Sequence, residues 1–136
     1  MELKIVTQEQ GAGCAIACIA SILGTSYKNV LKLFDKNRAP TRGYYSNEIV
    51  SALRKKGLNY KYAKLTNKTK KYLEDYGSIV FIKRSKKYPL GHYLLKTKRG
   101  WMNSWINFPN IKPAKSGFQK KLPGKAQWVI YSKHSS

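Results

Sequence analysis

The chain holds two cysteines and two histidines, and their settings differ enough to separate the groups that could do chemistry from those that could not. Cys14 follows Gly11-Ala12-Gly13 and opens the run Cys14 to Leu23, in which nearly every residue is small or aliphatic, before Gly24 supplies a stop. That pattern predicts a helix buried on all sides with its N-terminus at Cys14. A thiol placed there faces backbone amides, which favour the thiolate as a neighbouring imidazolium does. Cys18 lies one turn inside the same helix, has neither feature, and reads as an inert small hydrophobe. The spacing of the pair does not favour a disulfide, so both are expected to be reduced thiols. Most free cysteines in apolar helices are core residues. A glycine-flanked cysteine that opens the helix, with Gln8 shortly before it, is a rarer arrangement. Of the histidines, His134 sits in a polar terminus where a poised group could hardly be held, which leaves His92. A thiol and an imidazole are the minimum for nucleophilic catalysis by cysteine.

Other chemistries lack their residues. A zinc site needs clustered Cys, His or carboxylate ligands, and no cluster has that spacing. The acids Glu2, Glu9, Asp35, Glu48, Glu74 and Asp75 are too scattered for paired-carboxylate catalysis. Gly11-Ala12-Gly13-Cys14 has no lysine with which to cradle a phosphate. No metal and no cofactor is implied.

The elements that must position Cys14 and His92 follow from pattern. Leu3 to Val6 reads as a short edge strand. Ser26 can cap a second helix running to Lys36, with Tyr27, Val30, Leu31 and Phe34 on one apolar face, and Ser46 a third helix through Leu53, closed by Gly57. Asn37 to Tyr45 is a loop between them. Leu58 to Tyr62 alternates as a strand, and Thr66 or Asn67 starts a short helix ending at Gly77, with Tyr72, Leu73 and Tyr76 inward. The chain then turns to apolar runs at Ser78–Ile82, Gly91–Leu95, Trp101–Ile106 and Gln127–Tyr131, with Lys98-Arg99-Gly100 as a hairpin turn. Asn107 to Lys125, with three prolines and two glycines, reads as a long loop. Helices first and strands afterwards give an α+β domain, its N-terminal helices packed on a C-terminal antiparallel sheet. With 136 residues, one domain over residues 1–132 and a disordered tail 133–136 are expected.

Charge is the extreme property: 27 Lys and Arg against six acids give +21, and no acid follows Asp75. A field of that size attracts polyanions such as nucleic acid. Lysine runs default to solvated faces, and tyrosines such as Tyr44, Tyr45, Tyr60 and Tyr62 more often cover a core than stack on bases. The start lacks a secretory signal, and Ala15 to Leu23 is too short to cross a bilayer, so no membrane span and a cytoplasmic location are expected, host cytoplasm or virion if the protein is phage-encoded.

The segment Gln8-Glu9-Gln10-Gly11-Ala12-Gly13-Cys14-Ala15-Ile16-Ala17-Cys18 resembles the papain-like cysteine peptidases, and within them the bacteriocin-processing branch that removes double-glycine leader peptides. Gly91-His92-Tyr93-Leu94-Leu95 is similar to the family's histidine strand, and Asn103-Ser104-Trp105 to its Asn-Ser-Trp. The branch usually has Asp before and Gly after its nucleophile, where this chain has Gly13 and Ala15. The resemblance implies a papain-like fold, Cys14 as nucleophile, His92 as base and Asn103 as the residue that orients it, with Asn107 as the runner-up. It further implies that Gln8 and the Cys14 amide form the oxyanion hole and that Trp105 shields the His–Asn bond. Three readings follow: a cysteine peptidase or amidase acting on a peptide or protein through an acyl-enzyme, a papain-like scaffold with a vestigial site that binds nucleic acid or another polyanion, and a cell-wall amidase using the same site.

Overall fold

The computed structural model describes residues 3–7, 9, 13–34, 43–107 and 113–132. Its first helix, α1 (Cys14–Leu23), has the expected bounds, and nine of its ten residues are buried. Gly24 ends it in the left-handed conformation at φ 67°, returning its amide to Ala20 and Ser21, the geometry glycine adopts without steric cost. Burying Ile16 or Ile19 completely contributes roughly 2 kcal/mol each, so α1 is held by tertiary packing. It runs against the sheet on one side and against α2 and α3 on the other.

Helix α2 (Tyr27–Leu31) is capped by Ser26, whose hydroxyl accepts from the Asn29 amide. It is shorter than expected: turns follow at 32–34, and Lys36 lies outside the described residues. Helix α3 (Ser46–Lys55) starts as expected but is not capped by Ser46. The Glu48 carboxylate accepts from the Tyr45 amide at 2.8 Å, making Tyr45 the cap residue.

Six strands form one antiparallel sheet in the order β1-β6-β2-β3-β4-β5. They are β1 (Tyr60–Lys64), β2 (Ile79–Ile82), β3 (His92–Thr97), β4 (Gly100–Asn103), β5 (Gly117–Gln119) and β6 (Ala126–Ser132). The α+β expectation therefore holds, with corrections. Residues 3–7 form no strand; they are tied by Ser21 Oγ donating to the Lys4 carbonyl and by the Val6 amide donating to Met102 Sδ. The helix expected from Thr66 is a 3-10 helix, Lys70–Glu74; Leu73 packs against the core and Tyr72 stacks on Tyr131 at 3.8 Å, as an inward face should, but Tyr76 is exposed. The run Trp101–Ile106 stops as a strand at Asn103, and the loop expected from Asn107 contains β5. Lys98 and Arg99 do form the β3–β4 turn, since Thr97 pairs with Gly100.

Candidate active site

Cys14 is the first residue of α1, and its sulfur accepts a 3.3 Å hydrogen bond from the backbone amide of Tyr93, the residue after His92. The sequence therefore brings the helix start against the start of β3, across 79 positions. The thiol is not the lowered one that a helix N-terminus alone would give. Burial pushes it up to about 11, outweighing the amides of Tyr93, Ala15 and Cys14 that favour the thiolate. Cys18 is fully buried and is also pushed up by burial.

His92 is fixed by the glycine before it. Gly91 has φ 77°, and a side chain there would place its Cβ 2.2 Å from the Phe81 ring and 2.8 Å from the Ile82 carbonyl oxygen, so only glycine fits. From there β3 pairs with β2, His92 opposite Ile82, and turns through Lys98-Arg99 into β4, which ends at Asn103. The hairpin sets His92 Nε2 2.7 Å from Asn103 Oδ1.

The orientation of that bond follows from its neighbours. Asn103 Oδ1 also accepts from the Trp105 amide at 2.9 Å, and an amide N–H can only donate, so the atom facing His92 is the oxygen. Its Nδ2 donates to Tyr88 Oη at 3.0 Å and to Gln119 Oε1 at 2.8 Å. All four bonds are satisfied inside the protein. His92 must then carry its proton on Nε2, and in the neutral ring Nδ1 is left as the basic nitrogen. Burial holds the imidazole down to about 4, against the Asn103 bond that favours its protonation; the Lys87 charge lowers it further.

Two residues of this network were not expected from sequence. Tyr88 is buried, and its ring stacks on the imidazole at 4.2 Å and 8°. Gln119 arrives from β5, inside the segment read as loop. Trp105, expected to shield the His–Asn bond, is buried beside it and donates its backbone amide to Asn103 Oδ1. Asn107 is not brought to His92: its side chain accepts from the Lys115 amide and donates to the Pro113 carbonyl. Gln8 and His134 lie outside the described residues. Next to Gln8 in sequence, Thr7 is hydrogen-bonded to Ser116 at 2.6 Å, and the Glu9 backbone bonds the Tyr27 hydroxyl.

Cys14 and His92 open onto a cavity of about 930 Å³ between the start of α3 and the sheet. Its floor is an aromatic stripe across the strands, in which Tyr93 packs on Phe81 at 4.8 Å and Tyr62 on Trp128 at 6.1 Å. Lys83 and Arg84 line it, while among the described residues no acid does. Of its lining residues, Tyr45, Tyr62 and Leu90 are exposed large apolar side chains. A cavity of that size with a thiol and an imidazole in its lining has room for a stretch of polypeptide.

A helix that presents a cysteine against a sheet carrying His and Asn defines the papain-like class of thiol peptidases. The model of the Peptidase C39 family matches residues 2–121, and the chain belongs to that family. It is a cysteine-type peptidase of the bacteriocin-processing-like branch, with a peptide or protein as substrate. Among solved structures it is similar to the peptidase domain of Streptococcus ComA, a bifunctional ABC transporter involved in a quorum-sensing pathway. The TM-score is 0.61 at 19% identity, over 96% of this chain and 98% of that domain, a likeness of fold. No curated protein sequence matches the chain. Among the described residues, no helix is long and apolar enough to cross a membrane.

Proposed function

We propose that the chain cleaves a peptide bond with Cys14, His92 and Asn103 as its catalytic triad, through an acyl-enzyme. The single observation that carries this reading is the 2.7 Å bond from His92 Nε2 to an Asn103 oxygen whose orientation is fixed by the Trp105 amide. It leaves Nδ1 as the only basic position on the ring. With the thiol pushed up to about 11 and the imidazole held down to about 4, the resting pair is neutral, the proton remaining on sulfur. Proton transfer then accompanies attack instead of preceding it.

In the first step Nδ1 takes the thiol proton as Sγ bonds to the carbonyl carbon. The oxyanion is held by the Cys14 amide and, by resemblance to the family, by the Gln8 side chain; such donors commonly supply the largest single catalytic effect. Collapse expels the amine, which takes the proton back from His92, and leaves a thioester on Cys14. Water, deprotonated at the same nitrogen, releases the acid and restores the thiol.

Cys14 and His92 are 7% and 3% exposed, so the approach to them favours a slim backbone over bulky side chains beside the scissile bond. Small residues there, as in the double-glycine sites of the resembled branch, suit the approach. The test is cleavage of a peptide with paired glycines by two variants. Cys14→Ala is expected to abolish turnover, and Cys18→Ala to retain it. Equal activity of Cys14→Ala and the unaltered protein would remove the reading.

A further inference from the structure

Outside the triad, one buried side chain touches His92, Asn103 and Trp105 together. Tyr88 is 2% exposed; its ring lies parallel to the His92 imidazole at 4.2 Å, and its hydroxyl accepts from Asn103 Nδ2 at 3.0 Å and donates to the Trp105 carbonyl at 3.2 Å. We propose that Tyr88 is a positioning residue of this site, its ring fixing the plane of the His92 imidazole and its hydroxyl locking the Asn103 amide that receives the imidazole N–H. The proposal rests on the triad reading above and extends it.

Local sequence explains how the ring arrives there. Tyr88-Pro89-Leu90-Gly91 forms a reverse turn in which the Gly91 amide donates to the Tyr88 carbonyl at 2.9 Å, with proline second and glycine fourth, the residues such a turn prefers. The turn folds Tyr88 back over the residue that follows it. Upstream, the Tyr88 amide donates to Ser85 Oγ, and the Ser85 amide to the Tyr88 carbonyl, at 3.1 and 3.0 Å. The backbone of Tyr88 is thus pinned on both sides.

An imidazole has two free torsions. The hydrogen bond to Asn103 restrains one nitrogen but allows the ring to rock about that bond. A parallel ring on its face removes the rocking, and so sets where Nδ1 points. An orientation error of that kind costs rate without costing substrate affinity. The same ring also covers one face of the imidazole, keeping water from it.

The full chain would be assayed on the same glycine-pair peptide with Tyr88→Phe, Tyr88→Leu and His92→Ala, each checked by a thermal melt. Tyr88→Phe keeps the stack and loses the hydroxyl, and kcat is expected to fall about fivefold with KM unchanged. Tyr88→Leu loses both, and kcat should fall about 50-fold with KM unchanged. In addition, the acid limb of kcat/KM should move up from near 4 toward the ordinary histidine value of 6.5 as water reaches the ring. A side chain that merely fills the core would lower the melting temperature and leave the acid limb in place. Folded Tyr88→Leu with unaltered kcat and acid limb would overturn the proposal. If Tyr88→Leu does not fold, a kcat for Tyr88→Phe within about twofold of the unaltered protein overturns it equally. Activity retained in His92→Ala would instead sink the triad, which keeps the two failures apart.

Discussion

Around Cys14 the neighbours in sequence are apolar and buried from Ala15 to Ala20, and one helix does the positioning. Around Asn103 the partners are polar and arrive from three places: Tyr88 from a turn, His92 from β3 and Gln119 from β5, with Trp105 closing the network two residues on. The Cys14 thiol is held largely by shape, and the His92 imidazole by a hydrogen-bond network in which each side-chain amide atom of Asn103 serves two fixed partners. A dry, well-packed wall tolerates small changes of side chain by repacking, whereas a buried polar network leaves unpaired groups when any member is removed. The two halves should therefore fail differently.

Ile19→Ala, on the Cys14 side, removes a fully buried side chain from α1 and should cost about 2 to 5 kcal/mol of stability. Folded enzyme should retain its kcat; denaturant melts paired with active-site-normalised rates would show it. Asn103→Ala, on the other side, should lower kcat on the order of 100-fold, with a loss of stability of about 1 to 3 kcal/mol for each buried group it leaves unpaired. If Ile19→Ala lost rate and Asn103→Ala lost only stability, the division would be wrong.

A third effect separates the halves by pH. His92 is held below its ordinary 6.5, to about 4, so the unfolded chain takes up the proton first, and stability is complete above 6.5 and lost as pH falls toward 4. From pH 8 to pH 5 the loss should be about 2 kcal/mol. Cys14 has the opposite sign: raised from 9.0 to about 11, it contributes stability that is complete below 9 and lost as pH rises toward 11. His92→Gln should flatten the acid side of a urea-stability profile and leave the alkaline side unchanged; an unchanged acid side would show that His92 is not held neutral by burial.

The contrast also explains what could be read from the sequence. Helix α1 was visible to the residue, because ten consecutive small or aliphatic positions and a closing Gly24 are local signals. The hairpin from His92 to Asn103 was visible through its apolar runs and its turn. Gln119 was hidden, since β5 is three residues long and gains its identity only by pairing with β4. Tyr88 could have been found from Tyr-Pro-x-Gly-His, a turn that folds a ring onto the histidine. The lowered thiol pKa inferred from the helix start failed for a different reason: the same apolar run that makes the helix also desolvates the sulfur, and burial outweighs the amides.

The central claim is that Cys14, and not Cys18, is the nucleophile driven by His92. A glycine-pair peptide carrying a thiol-reactive group, followed by intact mass and peptide mapping, tests it most directly. The account predicts one adduct, on Cys14, formed at least about 100-fold more slowly in His92→Ala. An adduct on Cys18, or an equal rate of Cys14 labelling without the histidine, would contradict it.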